Sequence, residues 1–493
     1  MPDSIQPTNP DTAVPENASD LEAKVAARAA AIEAKVADKI PAPPKETKLP
    51  KDFVLDCLNR NKVGDAALFC ALFRGKYVFV QEWEKFLYWS GHFWQVDMRS
   101  KRALADSERV CEAYMNAWAE CNDEEGSPLH KKILKRLDSL RSPKGRKDML
   151  ECVTTIDDAP VISYEQLDKQ PYLLATPTGV VDLRTGECSP GKPEQYLLSH
   201  CPTPWRGIDE PCREFEEYLQ TCMDDDHEIK DFIQRLLGYA LLGEKKHHIW
   251  VIMYGPLSRN GKDTLMNIVK RILRKKLHVR IPTNMLMDQK FERDSSQPSA
   301  DMMALRGAKI AYASEAKKRH SLDQAKIKDM TGGGYITARG LTDREMTEWK
   351  QSALIMLLTN YLPKIKSDDD GFNARTICIE WPVKFVPNPV REYERKIVYG
   401  MDDRLEKEDS GILAFMVRGC MDVIANNLRI PDKVLRYTAD QIDSFDDIGK
   451  FLKECCILED PPTGGREFKT RTAASDLLKI CNWWCKNILG NSY

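Results

Sequence analysis

What this sequence lacks narrows the field before any motif is read. No run approaches the roughly 18 to 20 apolar residues that would span a bilayer, and Met1-Pro2-Asp3-Ser4 shows neither the basic nor the apolar stretch of an export signal. A soluble, cytoplasmic protein is therefore expected. Net charge is almost absent, with 73 Lys and Arg against 75 Asp and Glu, so any nucleic-acid surface must come from local clustering. The 15 cysteines are odd in number, and pairs such as Cys455-Cys456 or Cys481 with Cys485 lack the Cys-x-x-Cys repetition of a zinc site. They read as reduced thiols, mostly filling cores, and not as a disulfide framework. Hydrophobic residues at 42% and charged residues at 30% are ordinary globular values. At roughly 100 to 200 residues per domain, 493 residues make about three units.

Composition and periodicity divide the chain. Residues 1–50 read as a flexible arm, with an Ala/Glu/Lys-rich helix over 19–39 started by Ser19 or Asp20 and a Pro-rich exit. Residues 51–205 read as a mixed α+β N-terminal domain. Tyr77–Val80 and Phe86–Trp94 are aromatic, β-branched strand material broken by Ser90-Gly91, and helices are expected over 107–121 and 129–140. Between 131 and 147 eight basic residues face only Asp138, with Asp148 just beyond; a solvated helix and Pro-Gly loop explain them better than phosphate contact. Residues 206–432 carry an amphipathic helix over 228–242 and then the site described next. From 433 to 493 the chain reads as helices, over 446–456 and 472–485, around Trp483-Trp484.

The apolar run Ile249–Tyr254 is expected to be a strand buried on both faces of a parallel sheet. It leads into Gly255-Pro256-Leu257-Ser258-Arg259-Asn260-Gly261-Lys262-Asp263-Thr264, and Leu265–Leu273 has helical spacing. A strand, a glycine-bounded turn and a helix start aim backbone N–H groups and the helix dipole at phosphates, with Lys262 reaching the β and γ oxygens. Gly255, Pro256, Ser258, Arg259, Asn260, Gly261, Lys262, Asp263 and Thr264 are the expected ATP-binding residues. Five residues separate Gly255 from Gly261, and Asp263 takes the position where a hydroxyl usually stands; Thr264 is next and would offer Mg²⁺ its oxygen. Leu305–Glu315 reads as a second strand ending in a carboxylate that suits polarising water and ordering metal. Ala353–Asn360 is a third, ending in an amide, and Arg375 precedes a fourth, Thr376–Glu380.

The order of these pieces resembles the superfamily 3 helicases of the phage, mobile-element and poxvirus primase-helicase type. The resemblance rests on Gly255 to Lys262, Ser314-Glu315, Lys328–Gly333 with Ala338-Arg339, Thr359–Pro363 and Ala374–Ile377. Gly64-Asp65-Ala66, Trp89–Trp94, Gly179–Gly186 and Ser410–Leu413 extend it. It implies an α/β fold: an AAA+ P-loop motor with a central parallel sheet, after a mixed α+β domain and before a small helical, partly winged-helix-like region. It implies Lys262 in the Walker A role, Glu315 as the Walker B acid and metal partner, Asn360 as first sensor and Arg375 as arginine finger. Lys326, Lys328, Arg339 and Arg344, with Lys350, would contact DNA from a stretch bearing a hairpin.

The implied activity is ATP-dependent unwinding of DNA, 3′ to 5′ on one strand, by a homo-oligomeric ring, hexameric by resemblance, in the replication of a phage or mobile element. ATP and Mg²⁺ are the expected cofactors, single-stranded and forked DNA the expected partners alongside a primase or polymerase, and a bacterial host cell the expected setting. No primer synthesis is expected, because fifty arm-like residues cannot hold a carboxylate triad on a sheet. A scaffold that uses ATP only to load onto an origin shares every nucleotide motif, and strand displacement on a tailed duplex separates the two readings.

Overall fold

The structure is a computed structural model that describes residues 49–289, 299–315, 321–340, 346–365, 369–445, 447–457 and 472–488. The expected arm helix over 19–39 and Arg344 lie outside these residues. Two compact units result, one of the chain up to Arg74 with Ser100–Pro160, the other of Gly75–Arg99 with Val161 onward. These units cut the chain elsewhere than at 205 and 432. The aromatic strands are the first reason: Phe79 and Val80 pair with Val161 and Ile162, which takes 75–99 into the second unit. The second reason is bonding across 205, where Thr203 Oγ1 donates to the Ile272 carbonyl at 3.0 Å and Ser410 Oγ to that of Pro204 at 2.9 Å.

The regular elements of the first unit, among its described residues, are the helices Lys51–Asn59, Asn61–Leu72, Lys101–Asp106, Glu108–Ala119, Pro128–Arg141 and Pro143–Val153. Two of these starts are written in the sequence: the Ser127 and Ser142 hydroxyls accept from the amides of His130 and Gly145, both at 3.0 Å, and proline follows each cap. In the core, the fully buried Asp65 carboxylate takes the Arg136 guanidinium and the Tyr114 hydroxyl, the latter at 2.7 Å. The basic stretch is thus partly inward. Arg141 and Arg146 both reach Glu108, at 2.7 and 3.2 Å, while Lys131, Lys135, Lys144 and Lys147 are exposed.

The second unit is built on five parallel strands: β1 (Trp250–Tyr254), β2 (His278–Arg280), β3 (Ile310–Ser314), β4 (Leu354–Thr359) and β5 (Thr376–Glu380). Their order across the sheet is β5-β1-β4-β3-β2. Period-two alternation sends neighbouring residues to opposite faces. Val251, Met253, Met356, Leu358, Ile377 and Ile379 join one core with the helices Arg213–Cys222, His227–Leu241, Lys262–Leu277 and Asp409–Asn426. Trp250, Ile252, Ile355, Leu357 and Cys378 join the other, with Ile327 of the helix Gln324–Thr331 and Ile336 and Trp349 of an antiparallel hairpin, Tyr335–Ala338 against Thr347–Lys350. Both faces are covered, which is why β1 and β4 read as unbroken apolar runs. The helix Asp432–Asp443 is tied to this sheet, its Thr438 hydroxyl accepting from the Cys378 amide at 2.9 Å.

Two smaller sheets complete the mixed α+β character before the parallel sheet. Trp94–Val96, Lys85–Trp89, Tyr77–Val80 and Val161–Ile162 form one, and Leu173–Thr176, Gly179–Asp182 and Cys188–Ser189 the other. Near the C-terminus Asp447–Cys455 and Ala474–Asn487 pack through Phe451, Cys481, Trp484 and Cys485. All fifteen cysteines are free and nine are buried. Among the described residues no helix is long and apolar enough to cross a membrane.

Candidate functional site

Three neighbouring strand ends converge at the carboxyl edge of the parallel sheet. β4 lies between β1 and β3, so Gly255, Asn360 and Glu315 emerge side by side. The Gly255 amide donates to the Thr359 carbonyl at 3.0 Å and the Glu315 amide to that of Leu358 at 2.9 Å. Glu315 holds a left-handed backbone, φ 67°, which costs a non-glycine residue about 1 to 2 kcal/mol and turns it off the strand line.

The 255–261 loop joins β1 to the helix Lys262–Leu277 and needs unusual backbone at its end, with Arg259 at φ 61° and Gly261 at φ 93°. Side chains at its glycines would collide: a Cβ on Gly255 would lie 1.7 Å from Asn260 Nδ2, and one on Gly261 2.5 Å from Cys222 Sγ. The Asn260 side chain is folded into the loop, its Nδ2 donating to the Leu257 carbonyl at 2.6 Å. Ser258 and Pro256 belong to this same turn.

At the first turn of the helix Lys262 is buried, 4% exposed. Its ammonium donates to Asn360 Oδ1 at 2.5 Å and Asn260 Oδ1 at 3.3 Å, and the Asp263 carboxylate stands at 4.0 Å. Burial pulls the lysine below its ordinary pKa, and the Asp263 and Glu315 carboxylates partly oppose it. The ammonium is thus desolvated and faced chiefly by neutral amide oxygens. Asp263 is largely exposed, 67%, whereas the Thr264 hydroxyl interacts with that of Tyr218.

Two partners of the loop escape a sequence reading. The Tyr218 hydroxyl donates to the Gly261 carbonyl at 2.6 Å, and the Phe385 amide donates to that of Arg259 at 2.8 Å. Phe215, Tyr218, Leu219 and Cys222 have helical core spacing, which marks Tyr218 as inward-facing. Nothing in the pattern names a carbonyl 43 residues away as its partner.

Arg375 is not part of this cluster. Its carbonyl accepts from the amide of Trp250, the first residue of β1, while the loop leaves the last. At about 3.3 Å per residue the length of β1 alone puts roughly 15 Å between them. The Arg375 guanidinium instead donates to the Lys328 carbonyl at 2.7 Å, and Lys328 Nζ binds Asp369 at 2.7 Å. Lys326 and Lys328 lie on the helix Gln324–Thr331, ahead of the hairpin and not within it. Arg339 directly follows the first hairpin strand, and Lys350 ends the second and pairs with Glu244 at 3.5 Å.

Residues 66–224 match a family described as D5 N terminal like. A protein of Acanthamoeba polyphaga mimivirus named as a helicase is 28% identical over 258 residues, covering 52% of this chain and 26% of that protein. One of African swine fever virus named as a primase is 24% identical over 245 residues, 47% of this chain and 24% of that protein. The chain therefore spans about a quarter of the length of the curated relatives it matches. Among solved structures, the apo NrS-1 C-terminal region covers 79% of this chain and 77% of that one at 13% identity, with a TM-score of 0.45. Residues 66–224 are thus similar to the D5 N-terminal family, and about half of the chain to viral proteins named helicase and primase, which supports the resemblance to phage and viral primase-helicases.

Proposed function

We propose that this protein is an ATP-hydrolysing AAA+ motor that moves 3′ to 5′ along single-stranded DNA as a homo-oligomeric ring and unwinds forks during replication of a phage or virus. The observation that carries the reading is Lys262: a buried ammonium at a strand–loop–helix junction, held by the amide oxygens of Asn260 and Asn360. A triphosphate supplies the charge it lacks, while backbone N–H groups at the start of Lys262–Leu277 bind the remaining phosphate oxygens.

In this reading Glu315 orients the attacking water and receives its proton. The water oxygen bonds to the γ-phosphorus as the bond to the β–γ bridging oxygen breaks. Asn360 spans from the lysine to the γ-phosphate. Arg375 serves a neighbouring protomer, since the length of β1 separates it from its own loop. The carboxylates of Asp263 and Glu315 are hard oxygen donors of the kind Mg²⁺ accepts, and Mg²⁺ would neutralise phosphate charge there. Thr264, engaged with Tyr218, is the weaker candidate ligand. The hairpin, with Arg339 and Lys350 at its strand ends, would follow the DNA backbone.

Lys262→Ala tests the reading. ATP turnover and displacement of a strand from a 3′-tailed duplex should both disappear, with the circular-dichroism spectrum unchanged. Unwinding retained by that variant would sink the motor assignment. Turnover without strand displacement by the unmodified protein would favour a loading scaffold.

A further inference from the structure

The basic residues before the hairpin divide by geometry, and Lys328 falls on the side of the arginine and not of the DNA. Its carbonyl accepts from Arg375 Nη1 at 2.7 Å and its ammonium binds Asp369 Oδ2 at 2.7 Å. Asp369 is itself fixed: its carboxylate caps the short helix Asp370–Asn373, accepting from the Phe372 amide at 3.0 Å. Lys328 and Arg375 both hold the Asp369 carboxyl below its usual range, so the three charges sit in one field. Gly332 leaves the space they use, since a Cβ there would lie 3.0 Å from the Lys328 carbonyl and 3.5 Å from Arg375 Nη1. All three charged side chains are partly exposed, at the sheet edge opposite the 255–261 loop.

We propose that Lys328 and Asp369 are positioning residues that hold Arg375 ready for the triphosphate of a neighbouring protomer, and that Lys328 is not a DNA contact. The assignment rests on the reading of Arg375 given under Proposed function. An arginine that acts across a protomer boundary must reach it in one rotamer out of many. Two fixed partners, one accepting a hydrogen bond and one supplying charge, remove that search before the neighbour arrives. The same bond ties Arg375 to the end of the helix whose next residues, Gly332–Gly334, open the hairpin. The occupancy of the neighbour's site and the set of the hairpin thereby share one hydrogen bond.

The test uses the full chain and mixed oligomers. Asp369→Asn, which removes the charge facing Arg375, should lower ATP turnover about tenfold, with affinity for a fluorescent ADP and for single-stranded DNA within twofold of the unmodified protein. Lys328→Met, which keeps the accepting carbonyl but frees Asp369, should do the same to a smaller degree. Mixing Lys328→Met protomers, which keep an intact loop, with Lys262→Ala protomers, which keep an intact arginine, should restore turnover above that of either alone. A residue that only supports folding would give no such complementation. Loss of DNA affinity with turnover intact, or failure of the mixture while Arg375→Ala and Lys262→Ala do complement, would overturn the proposal. If the unmodified protein hydrolyses no ATP, or Arg375→Ala turns over normally, the parent reading fails instead.

Discussion

The two units each bury a charge, and they treat it in opposite ways. In the helical unit Asp65 is fully buried and is met by a guanidinium and a phenolic hydroxyl, so the core closes over a charge facing its opposite. In the sheet unit Lys262 is almost as buried, yet its hydrogen bonds go to two uncharged amides. A partnered buried charge is a folding device, because removing one member strands the other. A charge faced by neutral dipoles spends stability to keep a place for something that arrives later. Exposure alone would not have told the two apart; the partner's charge does.

That contrast can be broken from either side, and the largest effect belongs to Asp65. Asp65→Ala leaves the largely buried Arg136 guanidinium, 13% exposed, without its carboxylate, and should cost about 3 kcal/mol in denaturant unfolding of the helical unit. Unchanged stability would mean the pair does not close the core. Next comes His278 on β2, which is 2% exposed with neither ring nitrogen hydrogen-bonded and lies 4.9 Å from the Tyr312 ring. Burial drives it down to about 4 from an ordinary 6.5. A base held neutral in this way keeps its full contribution above about pH 6.5 and loses it as pH falls through about 4. The loss should approach roughly 3 kcal/mol. His278→Leu should flatten thermal stability across that window, and a profile as steep as the original would remove the histidine from the account.

A smaller effect sharpens the contrast directly. Without nucleotide, Lys262→Met should be more stable than the unmodified protein by about 1 kcal/mol, since it removes a desolvated ammonium that Asp263 and Glu315 offset only in part. A melting curve checks the sign, and a clear destabilisation would show that the amides satisfy the charge. The smallest effect is expected at the surface: Lys131→Glu with Lys135→Glu should stay within about 0.5 kcal/mol, in contrast to the inward Arg136.

Much of this was legible in the sequence for reasons that are physical and local. β1 and β4 are apolar without interruption because both faces are covered, and the glycines flanking 256–260 stand where a Cβ would collide with a neighbouring side chain. Ser127-Pro128 announces the helix expected over 129–140, whereas Ser142-Pro143 starts a second helix, Pro143–Val153, where the sequence reads as a Pro-Gly loop. What could not be read is whatever depends on long-range contact. The strands at 77–96 look like part of the region that follows them in sequence, and only their pairing with Val161–Ile162 removes them from the helical unit. Lys328 looks like one more basic residue beside a glycine turn until Asp369 and Arg375 are seen to close on it. Tyr218 announces burial but not its hold on Gly261.

The placement of Arg375 at the foot of β1, with Lys262 beyond its head, has an arithmetical consequence on the proposed reading. A solitary chain owns both halves of an ATP-splitting centre and can never close them on each other, so it holds fuel without burning it. An open arc of n copies has one fewer working centre than it has members, and only a closed circle reaches parity. Turnover per chain should then climb with concentration and level off when the circle shuts, which makes the rate itself a census of assembly.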